Sequence, residues 1–107
     1  MNESSNHQAV YLLNVLWFKP DGGESLYREY LRQARDIVAR YGGRKLDSYV
    51  PEEAVIGTWD ADLVFFVQWP DWKTFQAFIA DPDFQAIRHL RESALERSLL
   101  IRCRKVG

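Results

Sequence analysis

From Trp59 to Phe78 the chain reads WDADLVFFVQWPDWKTFQAF, and two hydrophobic periods meet at Trp69-Pro70. Before the proline the side chains alternate at period two, so Leu63, Phe65, Val67 and Trp69 fall on one side of an extended chain and Val64 and Phe66 on the other. Both faces are apolar, which marks an inner strand covered on both sides. Ala9–Phe18, AVYLLNVLWF, has the same character, with Tyr11, Leu13, Val15 and Trp17 on one face and Val10, Leu12, Asn14, Leu16 and Phe18 on the other. Asn14 is an amide among aliphatics and must find hydrogen bonds or cost roughly 1–3 kcal/mol. An internal bond to a neighbouring element and a contact to a ligand both meet that need.

The pattern changes between these strands. Lys19-Pro20-Asp21-Gly22-Gly23 is a turn by composition, and it lacks the Lys-Ser/Thr ending of a phosphate loop. From Ser25 to Tyr41 the apolar positions Leu26, Tyr30, Ala34, Ile37 and Tyr41 step by three and four, which predicts an amphipathic helix ended by a left-handed Gly42. Arg44–Thr58 reads as a less regular strand, interrupted where Pro51 forbids a central ladder position. After Leu63–Trp69, Asp71 caps a short helix that turns Trp72, Phe75, Phe78 and Ile79 inward, and Asp81 with Pro82 opens another. In that last helix Phe84, Ile87, Leu90, Arg91 and Ala94 mark the inner side, while Gln85, His89, Glu92 and Glu96 face out. Ser98–Lys105, SLLIRCRK, closes the chain as a strand.

Strand, helix, strand, strand, helices, strand is the order of a split βαβ, an α+β ferredoxin-like plait with a four-stranded antiparallel sheet. Two right-handed crossovers over a sheet of order 4-1-3-2 place all the helices on one face. The other face is then bare, although strands one and three carry large apolar side chains there. Each one left wet forgoes roughly 1.5–3 kcal/mol, so a second copy is expected to cover it, sheet against sheet, in a homodimer with a two-fold axis.

Composition narrows the partners. At 107 residues with 47% apolar and 14% aromatic content the chain makes one compact domain, here residues 9–107 behind a loose polar tail, residues 1–8. A formal charge of −1 gives no basic field for nucleic acid or for an anionic membrane. An RNA-recognition fold shares this element order, but the third strand lacks the basic-Gly-aromatic opening of that module. No apolar run reaches the roughly 18 residues of a membrane span, and the N-terminus lacks the order of a signal peptide. A single cysteine, Cys103, permits no internal disulfide and reads as a small residue of the last strand, which together indicate a cytoplasmic protein.

Several local motifs occur together in the same order as in a known family. Tyr41-Gly42-Gly43-Arg44, Trp59-Asp60, Trp69-Pro70 leading to Phe75, and Asp81-Pro82-Asp83-Phe84-Gln85-Ala86-Ile87 followed by His89 and Arg91 resemble the DUF1330 family of the dimeric α/β-barrel superfamily. The resemblance runs from about residue 9 to 104. It implies a dimer of ferredoxin-like subunits with a cavity between sheet and helices. It implies no defined reaction, since superfamily relatives include cofactor-independent monooxygenases, lactone isomerases and haem-degrading enzymes, and fold alone does not transfer activity. Tyr49-Val50-Pro51-Glu52-Glu53 departs from the family pattern and puts the shape of the pocket mouth in question.

The residues themselves form no complete catalytic or metal constellation. His89 is the histidine that can exchange a proton near neutral pH, since His7 lies in the tail, and it stands as the candidate catalytic group despite its outward phase. Arg91 lies on the core side, so its guanidinium either pairs with a carboxylate such as Asp60 or binds substrate. Asn14, Trp59, Asp60 and Arg91 are the candidate substrate-binding residues, around a hydrophobic cavity lined by Tyr11, Trp17, Phe65 and Trp69 or by their opposite-face neighbours. Two histidines and one cysteine far apart disfavour a metal, and no cofactor is indicated; nothing supports haem on His89. The function indicated is binding or transforming a small hydrophobic or aromatic molecule. The alternative is a homodimeric module, not an enzyme, whose aromatic residues serve core and interface only.

Overall fold

The structure, a computed structural model, describes residues 8–107. Residues 1–7 of the expected tail, and His7 with them, lie outside the described residues. The elements run β1 (Val10–Phe18), α1 (Gly23–Arg40), β2 (Arg44–Tyr49), β3 (Leu63–Trp69), α2 (Trp72–Ala80), α3 (Pro82–Ala94) and β4 (Leu95–Cys103). The sheet has the order β2-β3-β1-β4 and every neighbouring pair is antiparallel, which is the ferredoxin-like plait.

Register decides which side chains share a face. Val10 pairs with Trp69, Leu12 with Val67, Asn14 with Phe65 and Leu16 with Leu63, so these positions form one surface. That surface meets the helices: Val10, Leu12, Leu16, Phe65 and Trp69 join Tyr27, Tyr30, Ala34 and Ile37 of α1, Phe75 and Phe78 of α2, and Phe84 and Ala94 of α3 in one core. The aromatic rings interlock, with Phe78 4.7 Å from Trp69 and 4.4 Å from Phe84 between ring centroids. The opposite face carries Tyr11, Leu13, Val15 and Trp17 of β1, with Phe66 opposite Leu13 on β3 and Ile101 opposite it on β4. Phe66 and Ile101 are 36% and 42% exposed there.

Several boundaries differ from the sequence expectation, and three of them have a local reason. The second strand was expected to reach Thr58 but leaves the ladder after Tyr49; Pro51 has no N–H to offer, and residues 50–62 form an irregular return arm. The closing strand begins at Leu95 instead of Ser98, with no loop between, so Glu96 belongs to β4 and not to the last helix. There the Ala94 carbonyl accepts from Lys19 N–H at 2.9 Å, and Leu95 turns straight into extended backbone. Helix α1 starts two residues early, at Gly23, because Gly22 enters with φ +100, a conformation that a Cβ resists. Gly42 ends the helix region with φ +75, as its place after Tyr41 suggests.

Candidate functional site

Helix α1 packs against α3, and between these helices, α2 and the sheet lies a cavity of about 750 Å³. Its lining includes Leu12 and Asn14 of β1 and Phe65, Val67 and Trp69 of β3. Tyr27, Tyr30 and Ala34 of α1, Phe75 and Phe78 of α2, and Phe84 and Arg91 of α3 contribute the helical walls. The period-two pattern that makes β1 a strand puts Asn14 on this side, and the helical step 84, 87, 91, 94 brings Arg91 to it. Two of the expected site residues therefore share one cavity.

Asn14 is buried, and its Nδ2 donates to the Leu12 carbonyl of its own strand over 3.3 Å. That bond is long and local, in place of an anchor to another element. Arg91 is half-buried and forms no ion pair among the described residues. Its guanidinium faces the phenols of Tyr27 and Tyr30 instead. Burial pushes the Tyr27 hydroxyl well above the usual tyrosine range; Tyr30 adds to the rise and the Arg91 charge opposes it. Tyr30 is raised by burial in the same way, again against Arg91. On the β2 side Lys45 stands 4.6 Å from the centre of the Phe65 ring, and burial lowers it below the ordinary lysine value, with Asp47 acting the other way. Trp69 Nε1 is buried and has no hydrogen-bond partner among the described residues.

The other candidates lie elsewhere. Asp60 Oδ1 accepts from Trp17 Nε1 at 2.9 Å, and the Trp59 ring is 6.2 Å from the Trp17 ring. Trp17 occupies the open sheet face with Arg97 stacked 4.3 Å over it, so Trp59 and Asp60 belong to that side and do not meet Asn14 or Arg91. The expected pair of Arg91 with Asp60 is thus replaced by Asp60 with Trp17, because the irregular arm brings Asp60 to the Trp17 indole. Tyr11 and Trp17 are likewise excluded from the cavity, whereas Phe65 and Trp69 line it. His89 is exposed on α3 and is not part of the lining.

Tyr27, Tyr30 and Lys45 are the site residues that sequence reasoning passed over. The signal for the tyrosines was present: an inner helical position filled by Tyr buries a hydroxyl as well as a ring. Lys45 offered none, since lysine on an edge strand is ordinary. Among the described residues no three His, Cys, Asp or Glu side chains gather as metal ligands, and no helix is long and apolar enough to cross a membrane.

Comparison with known proteins gives a family and a fold. The family described as a domain of unknown function, DUF1330, matches residues 22–102. A protein of unknown function from Rhodopseudomonas palustris has 24% identity and a TM-score of 0.89, over 99% of this chain and 88% of that one. A dimeric ferredoxin-like protein of unknown function from Jannaschia sp. CCS1 aligns with a TM-score of 0.75 and 12% identity, over 91% of this chain and 99% of that one. A candidate antibiotic biosynthesis monooxygenase from Bacteroides thetaiotaomicron has a TM-score of 0.69 and 17% identity, over 94% of this chain and 91% of that one. No curated protein matches the chain significantly.

Proposed function

Because this chain belongs to the DUF1330 family, whose description names no activity, its role has to be read from its own cavity, and we propose that it binds a small hydrophobic or aromatic molecule there. The observation that carries this reading is the cavity itself. At about 750 Å³ it falls within the range of roughly 300–1,000 Å³ usual for small-molecule sites. Its walls are mostly aromatic and aliphatic, with Asn14 and Arg91 as sparse polar groups able to orient a ligand. His89, the one histidine among the described residues, is exposed and outside the lining, so this reading gives it no role.

The binder is, in this proposal, a homodimer joined through the open sheet faces. Support comes from the half-exposed Phe66 and Ile101 on that face. The relative from Jannaschia sp. CCS1, described as dimeric with the same fold, supports it too. Native mass spectrometry with a panel of aromatic test compounds tests the binding. One compound per cavity should be retained, and Val67→Trp, which fills the cavity from β3, should abolish retention while leaving the assembly intact. If no compound is retained, or Val67→Trp retains it unchanged, the aromatic residues serve core and interface only.

A further inference from the structure

The chain as a whole is nearly neutral, with 14 Lys and Arg against 15 Asp and Glu. The cavity is not: Arg28, Arg32, Arg35, Lys45, Arg88 and Arg91 line it against the single acid Glu92. Three of these cations are already paired, Arg28 with Glu24 at 3.2 Å, Arg88 with Glu92 at 2.9 Å, and Arg32 with Glu29. Arg35, Lys45 and Arg91 have no carboxylate partner among the described residues. Of the six, Arg91 is the one that is half-buried, and the rest stand exposed around the mouth.

A half-buried guanidinium that no carboxylate neutralises is suited to receive an anion from outside. The two phenols beside Arg91 cannot supply that charge, since a tyrosine is protonated at neutral pH and burial moves both further from ionising. Protonated, each keeps an O–H that can donate to an acceptor. The rings of Phe65, Trp69, Phe75 and Phe78 in the same lining offer mostly apolar surface for the remainder of a ligand.

Resting on the reading that this cavity takes a small molecule, we propose that its ligand is a monoanion with an apolar body, the acidic head held by Arg91 with the hydroxyls of Tyr27 and Tyr30. The exposed cations at the mouth raise the local concentration of such an anion and exclude a cationic analogue of the same shape. Arginine suits the head site better than lysine, because its planar fork matches a carboxylate or sulfonate in two parallel hydrogen bonds.

The test uses three probes of one shape, 2-naphthoate, 2-naphthalenemethanol and 2-naphthylmethylammonium, titrated calorimetrically into the full-length protein. The acid should bind at least tenfold more tightly than the alcohol, and the ammonium more weakly than either. Salt should weaken the acid and leave the alcohol unchanged, a readout that needs no variant. Arg91→Met should erase the preference for the acid without weakening the alcohol, and Arg91→Lys should restore part of it. If the alcohol binds as well as the acid, the anion assignment is wrong while the cavity reading stands. If none of the three binds, both fall together.

Discussion

The Tyr41 hydroxyl donates to Asp81 Oδ2 over 2.6 Å and joins the end of α1 to the start of α3. The same carboxylate caps α3, its Oδ1 accepting from Asp83 N–H at 2.7 Å and Phe84 N–H at 3.4 Å, and it receives Arg40 at 3.0 Å. Two helices that frame the cavity are thus held by one buried side chain.

Asp81→Ala should lower the melting temperature by roughly 5–10 °C, the effect of losing a good N-cap in a domain of this size. The Tyr41 hydroxyl, with the capping N–H groups and Arg40, holds the Asp81 carboxyl below the usual carboxylate range, against the pull of burial. A folded value below the unfolded one gives stability that is present above the unfolded pKa and is lost as pH falls through the folded one. Thermal melts across acid pH should therefore show a decline in the wild type that is shallower in Asp81→Asn.

Gly23 is required for space. A Cβ there would lie 2.6 Å from the Ala94 carbonyl oxygen, which is backbone already held by Lys19 N–H, so neither side can yield cheaply. Gly23→Ala should cost about 1–3 kcal/mol, as overpacking does, in chemical denaturation. Gly22→Ala meets no atom within 4 Å and is opposed only by its φ of +100, so its cost should be smaller.

At alkaline pH the tyrosines should set the slope. Tyr27 keeps its proton in the folded state where an unfolded phenol loses it at about 10. The raised folded value means stability that is whole below the unfolded pKa and declines above it. Unfolding curves between neutral pH and the alkaline range should fall less steeply for Tyr27→Phe than for the wild type.

The contrast between the cavity and the return arm explains what could be read from the chain. The two-sided apolar runs of β1 and β3 announce a sheet centre, and four inner positions of α3 announce where Arg91 points, because both follow from a period. The placement of Trp59 and Asp60 follows no period: it depends on the path of residues 50–62 around Pro51 and on the bond from Trp17 to Asp60. Asp62 fixes that path further, its Oδ2 accepting from Phe18 N–H at 2.8 Å. The hydroxyls of Tyr27 and Tyr30 were hidden for another reason, since a pattern that counts tyrosine as apolar discards its polar end.

The open sheet face should behave as a contact surface. Leu13, Phe66 and Ile101 lie side by side across three strands, and the return arm of residues 50–62 carries Val55 and Ile56 at 88% and 94% exposure. Sedimentation should find the wild type dimeric at micromolar concentration and Phe66→Glu/Ile101→Glu monomeric. Val55→Ser/Ile56→Ser should weaken the dimer less, as a change at the rim of an interface does. A monomeric wild type would sink the assembly without touching the cavity.

Asn14 separates a ligand contact from a structural one. If its amide serves the fold, replacing it by leucine breaks a needed bond and should cost about 1–3 kcal/mol. Its one side-chain bond among the described residues, Nδ2 to the Leu12 carbonyl at 3.3 Å, is to its own strand, and its neighbours on that face are Leu12, Leu16 and Phe65. Exchange of a buried polar group for an apolar one of similar volume is then near neutral or stabilising. Asn14→Leu should leave the melting temperature unchanged or raised while weakening retention of a cavity-bound aromatic compound several-fold. A drop in melting temperature with unchanged retention would return Asn14 to the core and leave Arg91 to orient the ligand without it.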